Sequence, residues 1–569
     1  MLLIWYGLEI GQLRTLRKMM GAPLEFDPVD FIEQTFSEPS CKPADEIIKL
    51  ATAYNVLRKQ VLASLGQVHL GLTNAAKLNL ENFASDSTPL AYELPSYPKT
   101  EAVKNALKLK LCDGTNLQLD RILDSFKIKE CYGSKPSGQL HDIIKLYFLS
   151  EVLFLLLTRT ASAVRRGDVI LISPSSSDIT KQLHRKWFAN QWEQNSCIAN
   201  IAYLDLIPKG ADSYNNFHDA IAMLGTNLVD KIFFLPEENL PYKLERSASV
   251  QWIKKLCRLA VLCMWCKTKN DMEYAPYDLI HRIEITNDDI DKIKYYSDRQ
   301  SEPDQVFDIG SKGISIGNPS ITTQLRHTIN FIANEISDGT LNNVIGKFFE
   351  KACVFNYFAG DEVRDDYCVF TGFVPDEVKD ELLNPDVDLI IKDIRRNKYY
   401  FTQVKYFRIG GKAYISGDID HLASGKLHNG MRQLSDAKSA LLDGKLKSIL
   451  DEKGLHDCTP DNSYFLLIHN VYNFDFTLWP QGIISYEWNS LRNILKNGKI
   501  QYGLSNLPMN TWQHSSVLPL EDPDALIEHY MKNSPASVVS SIGTIFDADN
   551  LVVHMDLEGT EIRCQGLGL

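Results

Sequence analysis

The chain has 569 residues, too many for one hydrophobic core, so two to four domains are expected. A formal net charge of −12 excludes a protein that coats nucleic acid over its whole surface, while leaving room for a local basic groove. Eleven cysteines without a framework spacing exclude a disulfide-built secreted scaffold.

The apolar opening Met1-Leu2-Leu3-Ile4-Trp5-Tyr6 is followed, not preceded, by basic residues, the wrong order for a secretory signal. No later run is long and uncharged enough to span a bilayer. The expectation is a soluble, cytoplasmic protein without a membrane partner, with Met19 and Met20 as alternative starts.

Residues 1–160 read as a mainly helical region, with three-and-four apolar spacing over 44–65 and 142–157 and a Ser/Pro-rich loop over 85–100. Residues 161–300 read as an α/β domain. Strands are expected at 167–172, 197–206 and 231–235, and helices at 216–224 and 250–265. Ser173-Pro174-Ser175-Ser176-Ser177-Asp178 would lie at the carboxyl end of the first strand, either binding an anion or simply capping a helix through Ser177 or Asp178. No GxGxxG or GxxxxGK[ST] is present, which rejects a dinucleotide fold and a P-loop ATPase. Cys257, Cys263 and Cys266 lie in one apolar helical run and are expected to be buried thiols, not a zinc site. Residues 301–325 read as a linker.

Residues 326–510 hold the chemistry. Leu341, Ile345, Phe348, Ala352 and Phe355 recur at helical spacing, and at 100° per residue Glu350 falls on the border of that apolar face. Gly346 is expected to let another backbone approach. Pro385-Asp386-Val387-Asp388 then opens an apolar strand, a charged turn follows, and Tyr399-Tyr400-Phe401-Thr402-Gln403-Val404-Lys405 forms a second strand with Gln403 and Lys405 on one face. Buried, such a glutamine and lysine need partners. An Asp388–Lys405 salt bridge is the structural alternative to a metal and a phosphate. Residues 385–450 hold 12 Lys/Arg against 7 Asp/Glu, a basic stretch in an acidic chain.

Glu350, Asp388 and Gln403-Val404-Lys405 resemble the core of the PD-(D/E)xK, or restriction-endonuclease-like, nuclease superfamily, and the QxK form is similar to Mrr-type enzymes. The resemblance covers roughly residues 324–447. It implies an α/β multidomain protein in which a nuclease core accompanies the helical N-terminal region and the second α/β domain. It also implies Mg²⁺, or Mn²⁺, held by Glu350, Asp388, the Gln403 amide oxygen and the Val404 carbonyl. Lys405 would then orient the attacking water, and the products would carry 5′-phosphate and 3′-hydroxyl ends. Asp386 is the alternative to Asp388, which is preferred because it directly abuts the apolar strand. Gln403 stands where most members carry an acid, so the site has one charge fewer. On a following helix Gln433 resembles the superfamily's supporting polar residue. His421 and His428 are left out of the site. Lys392, Arg395, Arg396, Arg408 and Lys412 are the expected phosphate-backbone contacts.

The function this implies is a DNA endonuclease of restriction or antiviral defence, with RNA an open alternative substrate. Its partners would be a second copy of the chain, a defence-system protein or a small nucleotide activator bound by residues 161–300. The rival reading is a catalytically silent nucleic-acid-binding or assembly module. Residues 511–569 are expected to form a small C-terminal extension with strands at 537–546 and 551–556.

Overall fold

A computed structural model describes residues 45–67, 90–93, 137–157, 160–183, 214–235, 240–299, 306–316, 322–336, 341–378 (apart from 362 and 364), 383–407, 425–471, 474–479, 481–497, 519–533, 552–557 and 559–567, together with residues 29 and 185. The chain divides into two compact units: residues 1–188, 412–425 and 535–569 form one, and residues 189–411 and 426–534 form the other. Both are mixed α/β. Among the described residues no helix is long and apolar enough to cross a membrane.

In the first unit the expected helices are present as Asp45–Gln67 and Ser137–Leu157, packed together through residues such as Leu50, Tyr54, Leu149 and Leu153. Its five-stranded sheet runs Leu90–Glu93, Val552–Leu557, Thr560–Gln565, Val169–Pro174, Ala161–Arg166. Two expectations change here. The stretch read as the loop 85–100 contains a strand, and strand Val169–Pro174 alternates in burial instead of being buried on both faces. Its neighbours are the antiparallel Ala161–Arg166 and the parallel Thr560–Gln565, from the far end of the chain. After it, Ser176 caps the next helical turn, its Oγ accepting from the Ile179 N–H at 3.3 Å, one position before the expected Ser177. The strand expected at 197–206 and the one at 537–546 lie outside the described residues.

The second unit opens with helices α1 (Tyr214–Phe233) and α2 (Ala248–Lys269), packed against each other. The apolar stretch 231–235 is the last turn of α1 and the two residues after it, not a strand, because Ile232 and Phe233 continue the buried helical face of Phe217, Ile221, Leu224 and Leu228. Helix α2 is capped by Ser247 and buried almost all round, as a core helix should be. Cys257, Cys263 and Cys266 sit inside it with their thiols pushed up by burial, as expected of structural cysteines. Part of the expected linker is an ordered ribbon: Phe307–Ile309 and Gly313–Ile316 pair antiparallel, with Ala275–Pro276 alongside. Helix α3 (Thr322–Ile336) then packs on α2.

Helix α4 (Leu341–Phe348) continues without interruption into a π-helical turn, Phe349–Phe355, and a last turn, Asn356–Ala359. A six-stranded sheet follows. Strands β1 (Tyr367–Phe373), β2 (Val387–Asp393) and β3 (Lys398–Lys405) form an antiparallel meander. Helix α5 (Lys426–Leu442) crosses over to β4 (Ser463–His469), which lies parallel to β3. Beyond it lie the short β5 (Thr477–Leu478) and β6 (Ile483–Glu487), giving the order β5-β6-β4-β3-β2-β1. Helices α6 (Trp488–Asn497) and α7 (Pro523–Asn533) complete the described part.

The sheet core is apolar and aromatic. Phe401 of β3 stacks on Phe465 of β4 at 5.4 Å, and Tyr399 to Val404 are all buried, as a central strand covered on both faces requires. The opposite end of the hairpin from Lys405 is tied by charge. Burial would raise the Glu521 carboxyl, but hydrogen bonds from Lys398, Arg396 and Tyr400 outweigh it and hold the group at about 2. A cavity of about 340 Å³ beside this cluster is lined by Lys438, Tyr464 and Glu521. It sits at the strand end remote from Lys405 and touches none of the candidate catalytic side chains.

Candidate active site

The β2–β3 ladder runs from Asp393↔Lys398 to Leu389↔Thr402. Past that pair side chains replace the backbone bonds. The Val404 N–H donates to Asp388 Oδ2 at 2.7 Å, and Gln403 Nε2 donates to the Asp386 carbonyl at 2.6 Å. Lys405 Nζ donates to Gln403 Oε1. The buried amide of Gln403 thus joins the start of β2 to the lysine that ends β3. No ion pair joins Asp388 to Lys405, so the salt-bridge alternative is not what satisfies them.

Two close approaches shape this end of the sheet. A Cβ on Gly372 of β1 would lie 1.6 Å from the Val387 carbonyl oxygen, so only glycine lets the edge strand reach the start of β2. On α5 a Cβ at Gly430 would meet Lys405 Cε at 3.1 Å and Leu467 Cδ1 at 3.0 Å. Helix α5 therefore lies over Lys405. It also fixes the approach to β2: Gln433 Nε2 donates to Asp386 Oδ2 at 2.7 Å, and Asp436 Oδ2 accepts from the Asn384 N–H at 3.2 Å. Gln433 thus reaches Asp386 and not Asp388. By contrast, a Cβ on Gly346 would meet nothing within 4 Å, so the expected close approach there does not occur.

Glu350 comes from the π turn. The wider turn changes which side chains face inward: Phe349, Cys353, Val354 and Phe358 are buried, while Ala352 and Phe355 of the expected α-helical face are only half-buried. Glu350 itself is half-buried, and its carboxyl is pushed up by burial and by Asp386, against Lys351, Lys405 and Lys347. Burial also raises Asp386, opposed by Lys405 and the Gln433 bond. Asp388 is pushed furthest, to about 7, by burial and by Glu350 and Asp386, despite Lys405 and the Val404 N–H. The three carboxylates thus share one field in which Lys405 is the common cation.

The oxygen donors suit a hard divalent cation: carboxylates of Glu350, Asp386 and Asp388 and the amide oxygen of Gln403. Gln433 Oε1 adds a buried acceptor with no hydrogen-bond partner. Among the described residues, however, no three His, Cys, Asp or Glu side chains already form a metal-holding group. Asp388 Oδ2 and Gln403 Oε1 are engaged by protein donors. The donor chemistry fits such an ion, provided that Lys405 releases Gln403.

The three expected phosphate contacts among the described residues are already paired. Lys392 pairs with Asp457 at 3.1 Å, Arg395 with Asp366 at 2.6 Å, and Arg396 with Asp393 and Glu521 at 2.8 Å each. All three belong to the turn end of the hairpin, away from Lys405. Arg396 is neutralised by two carboxylates in a mostly buried cluster and is poorly suited to hold a backbone, whereas the Lys392 and Arg395 pairs lie nearer the surface. Arg408, Lys412 and His421 lie outside the described residues. Lys347, Lys351 and Arg432, not among the expected contacts, are exposed and have no ion-pair partner among the described residues; the first two act directly on Glu350. Their spacing around Glu350 and Gln433 was a usable signal. Comparison with protein-family models, with curated proteins and with solved structures returned no match.

Proposed function

We propose that the chain is a divalent-metal-dependent nuclease that hydrolyses phosphodiester bonds in DNA. The observation that supports this best is the shared field of Glu350, Asp386 and Asp388 at one strand end, with Lys405 as its common cation. Three carboxylates kept partly from water around one lysine favour either protons or an added cation.

Glu350, Asp386, Asp388 and the Gln403 oxygen would hold Mg²⁺ or Mn²⁺, with the Val404 carbonyl as the remaining expected donor. Once bound, such an ion lowers the pKa of water and offsets charge on the phosphate. Lys405 Nζ, released from Gln403, orients that water and donates to a non-bridging phosphate oxygen, where charge grows in the transition state. Gln433 holds Asp386 in place. Lys347, Lys351 and Arg432 supply the cationic surface for the flanking phosphates.

Plasmid incubated with the full chain and Mg²⁺ or Mn²⁺ tests this. Wild type should cut, a chelator should stop it, and Lys405→Ala and Asp388→Ala should each lose roughly 100-fold or more. The engaged state of Gln403 Oε1 and Asp388 Oδ2 favours a second reading, a module that binds nucleic acid without cutting it. DNA binding without metal-dependent cleavage by wild type would establish that reading and reject the first. The proposed nucleotide gate has less support: strand Val169–Pro174 belongs to the first unit, and helices α1 and α2 to the second.

A further inference from the structure

Phe234 stands where a helix commonly ends in glycine. It follows α1 with a φ of +56°, a left-handed conformation that a side chain makes unfavourable. Its N–H still bonds the Asp230 carbonyl at 3.0 Å, and the Leu235 N–H reaches back to Val229 at 3.4 Å. The ring is 1 % exposed. It meets Phe349 edge-on at 5.1 Å and Tyr406 at 6.5 Å, and those two rings lie 5.5 Å apart. Phe349 precedes Glu350 in the π turn, and Tyr406 follows Lys405 at the end of β3. The Phe234 carbonyl is tied to the same turn, accepting from Cys353 Sγ at 3.1 Å. A glycine would satisfy the helix end but leave this three-ring contact unmade. Strain retained for such a contact suggests a function.

We propose that Phe234 is a positioning residue: wedged between the turn bearing Glu350 and the strand end bearing Lys405, it sets the spacing of the glutamate and lysine and couples helix α1 to the site. What that spacing serves rests on the nuclease reading; the wedge itself rests on packing. Lys347, Lys351, Lys405 and Asp386 act on Glu350, and Arg492 and Asp230, paired at 3.6 Å, act on Cys353, so no charge is removed by changing Phe234.

The test compares full-length wild type, Phe234→Gly, which accepts the backbone conformation, and Phe234→Leu, which keeps apolar bulk. Cys353 is 9 % exposed and its thiol is pushed up to about 12 by burial, so alkylation followed by peptide mapping reports on the π turn. Mn²⁺ binding by calorimetry reports on the site. Phe234→Gly should melt below wild type, because the cavity left by the ring outweighs the relieved backbone; assayed well below that transition it should alkylate Cys353 faster, bind Mn²⁺ about tenfold more weakly and cut more slowly with unchanged DNA affinity. Phe234→Leu should restore most of each. Unchanged alkylation and Mn²⁺ affinity in Phe234→Gly would overturn the proposal. Faster alkylation with undiminished Mn²⁺ binding and cutting would reduce Phe234 to packing and overturn it equally. If wild type neither binds Mn²⁺ nor cuts, the nuclease reading falls. The wedge is then judged on amide exchange at Tyr406 and Phe407 with Cys353 labelling: both faster in Phe234→Gly sustains it, and neither faster removes it.

Discussion

At neutral pH the Asp388 carboxyl sits near its own midpoint, whereas the same group in an unfolded chain is fully ionised. Its folded value is raised to about 7 from 3.8, so the folded protein holds more protons than the unfolded one between those values. Stability from this group is therefore full below about pH 4, declines as pH rises towards 7, and leaves a penalty of up to roughly 4 kcal/mol above it. Asp388→Asn keeps an oxygen for the Val404 N–H and removes the charge. It should raise the melting temperature at pH 8 and have little effect at pH 4, as followed by calorimetry. Added Mn²⁺ should stabilise wild type at pH 8 more than this variant. A second residue-scale expectation concerns Lys347 and Lys351. Replacing both with Gln in an Asp388→Asn background should flatten the salt dependence of DNA binding by about 0.9 in log–log slope per lost contact. Lys392→Gln, whose partner is Asp457, should leave the slope unchanged. Strand alternation put Gln403 and Lys405 on one face, whereas Gln433, on a helix, came only from the PD-(D/E)xK resemblance. The part played by Asp386 was not decided there, since both aspartates open the same strand and only the fold shows Gln433 on Asp386 and Val404 on Asp388.

Helix α5 and the π turn bring the site together, and both depend on details that a regular period does not contain. Projecting residues 341–355 at 100° per step places Ala352 and Phe355 inward; once the helix widens after Phe348, Cys353 and Val354 take those places. The hydrophobic pattern predicts a helix correctly but cannot announce the change of pitch, because Phe349-Glu350-Lys351-Ala352-Cys353 suits either. The same is true of Gly430. In sequence it is a helix-weakening glycine, and its reason appears only with Lys405 beneath it. Gly430→Ala gains helix propensity of up to about 1 kcal/mol, offset by crowding against Leu467. The melting temperature should change little. Since the lysine stem must move by a few tenths of an ångström, cleavage should fall several-fold, measured as single-turnover cutting. Equal cutting by Gly430→Ala and wild type would show that Lys405 is not held by the helix.

Across the whole molecule, segments distant in sequence form single sheets. Strands Val552–Leu557 and Thr560–Gln565 lie in the middle of the five-stranded sheet, between Leu90–Glu93 and the Val169–Pro174 hairpin. Local patterning identified a strand near 551–556 but gave no partner for it, since pairing register is set by contacts hundreds of residues away. A chain ending at residue 548 therefore loses two central strands and not a dispensable extension. Limited proteolysis should show residues 160–183 cleaved readily in that truncation and protected in the full chain, while 367–405 stays resistant in both. The order of synthesis adds a timing constraint. Residues 161–174 leave the ribosome some 390 residues before their parallel neighbour exists, a wait of about 20 to 80 seconds at ordinary elongation rates. During that interval the nascent hairpin has an unsatisfied edge, and a chaperone or a neighbouring polypeptide can claim it first.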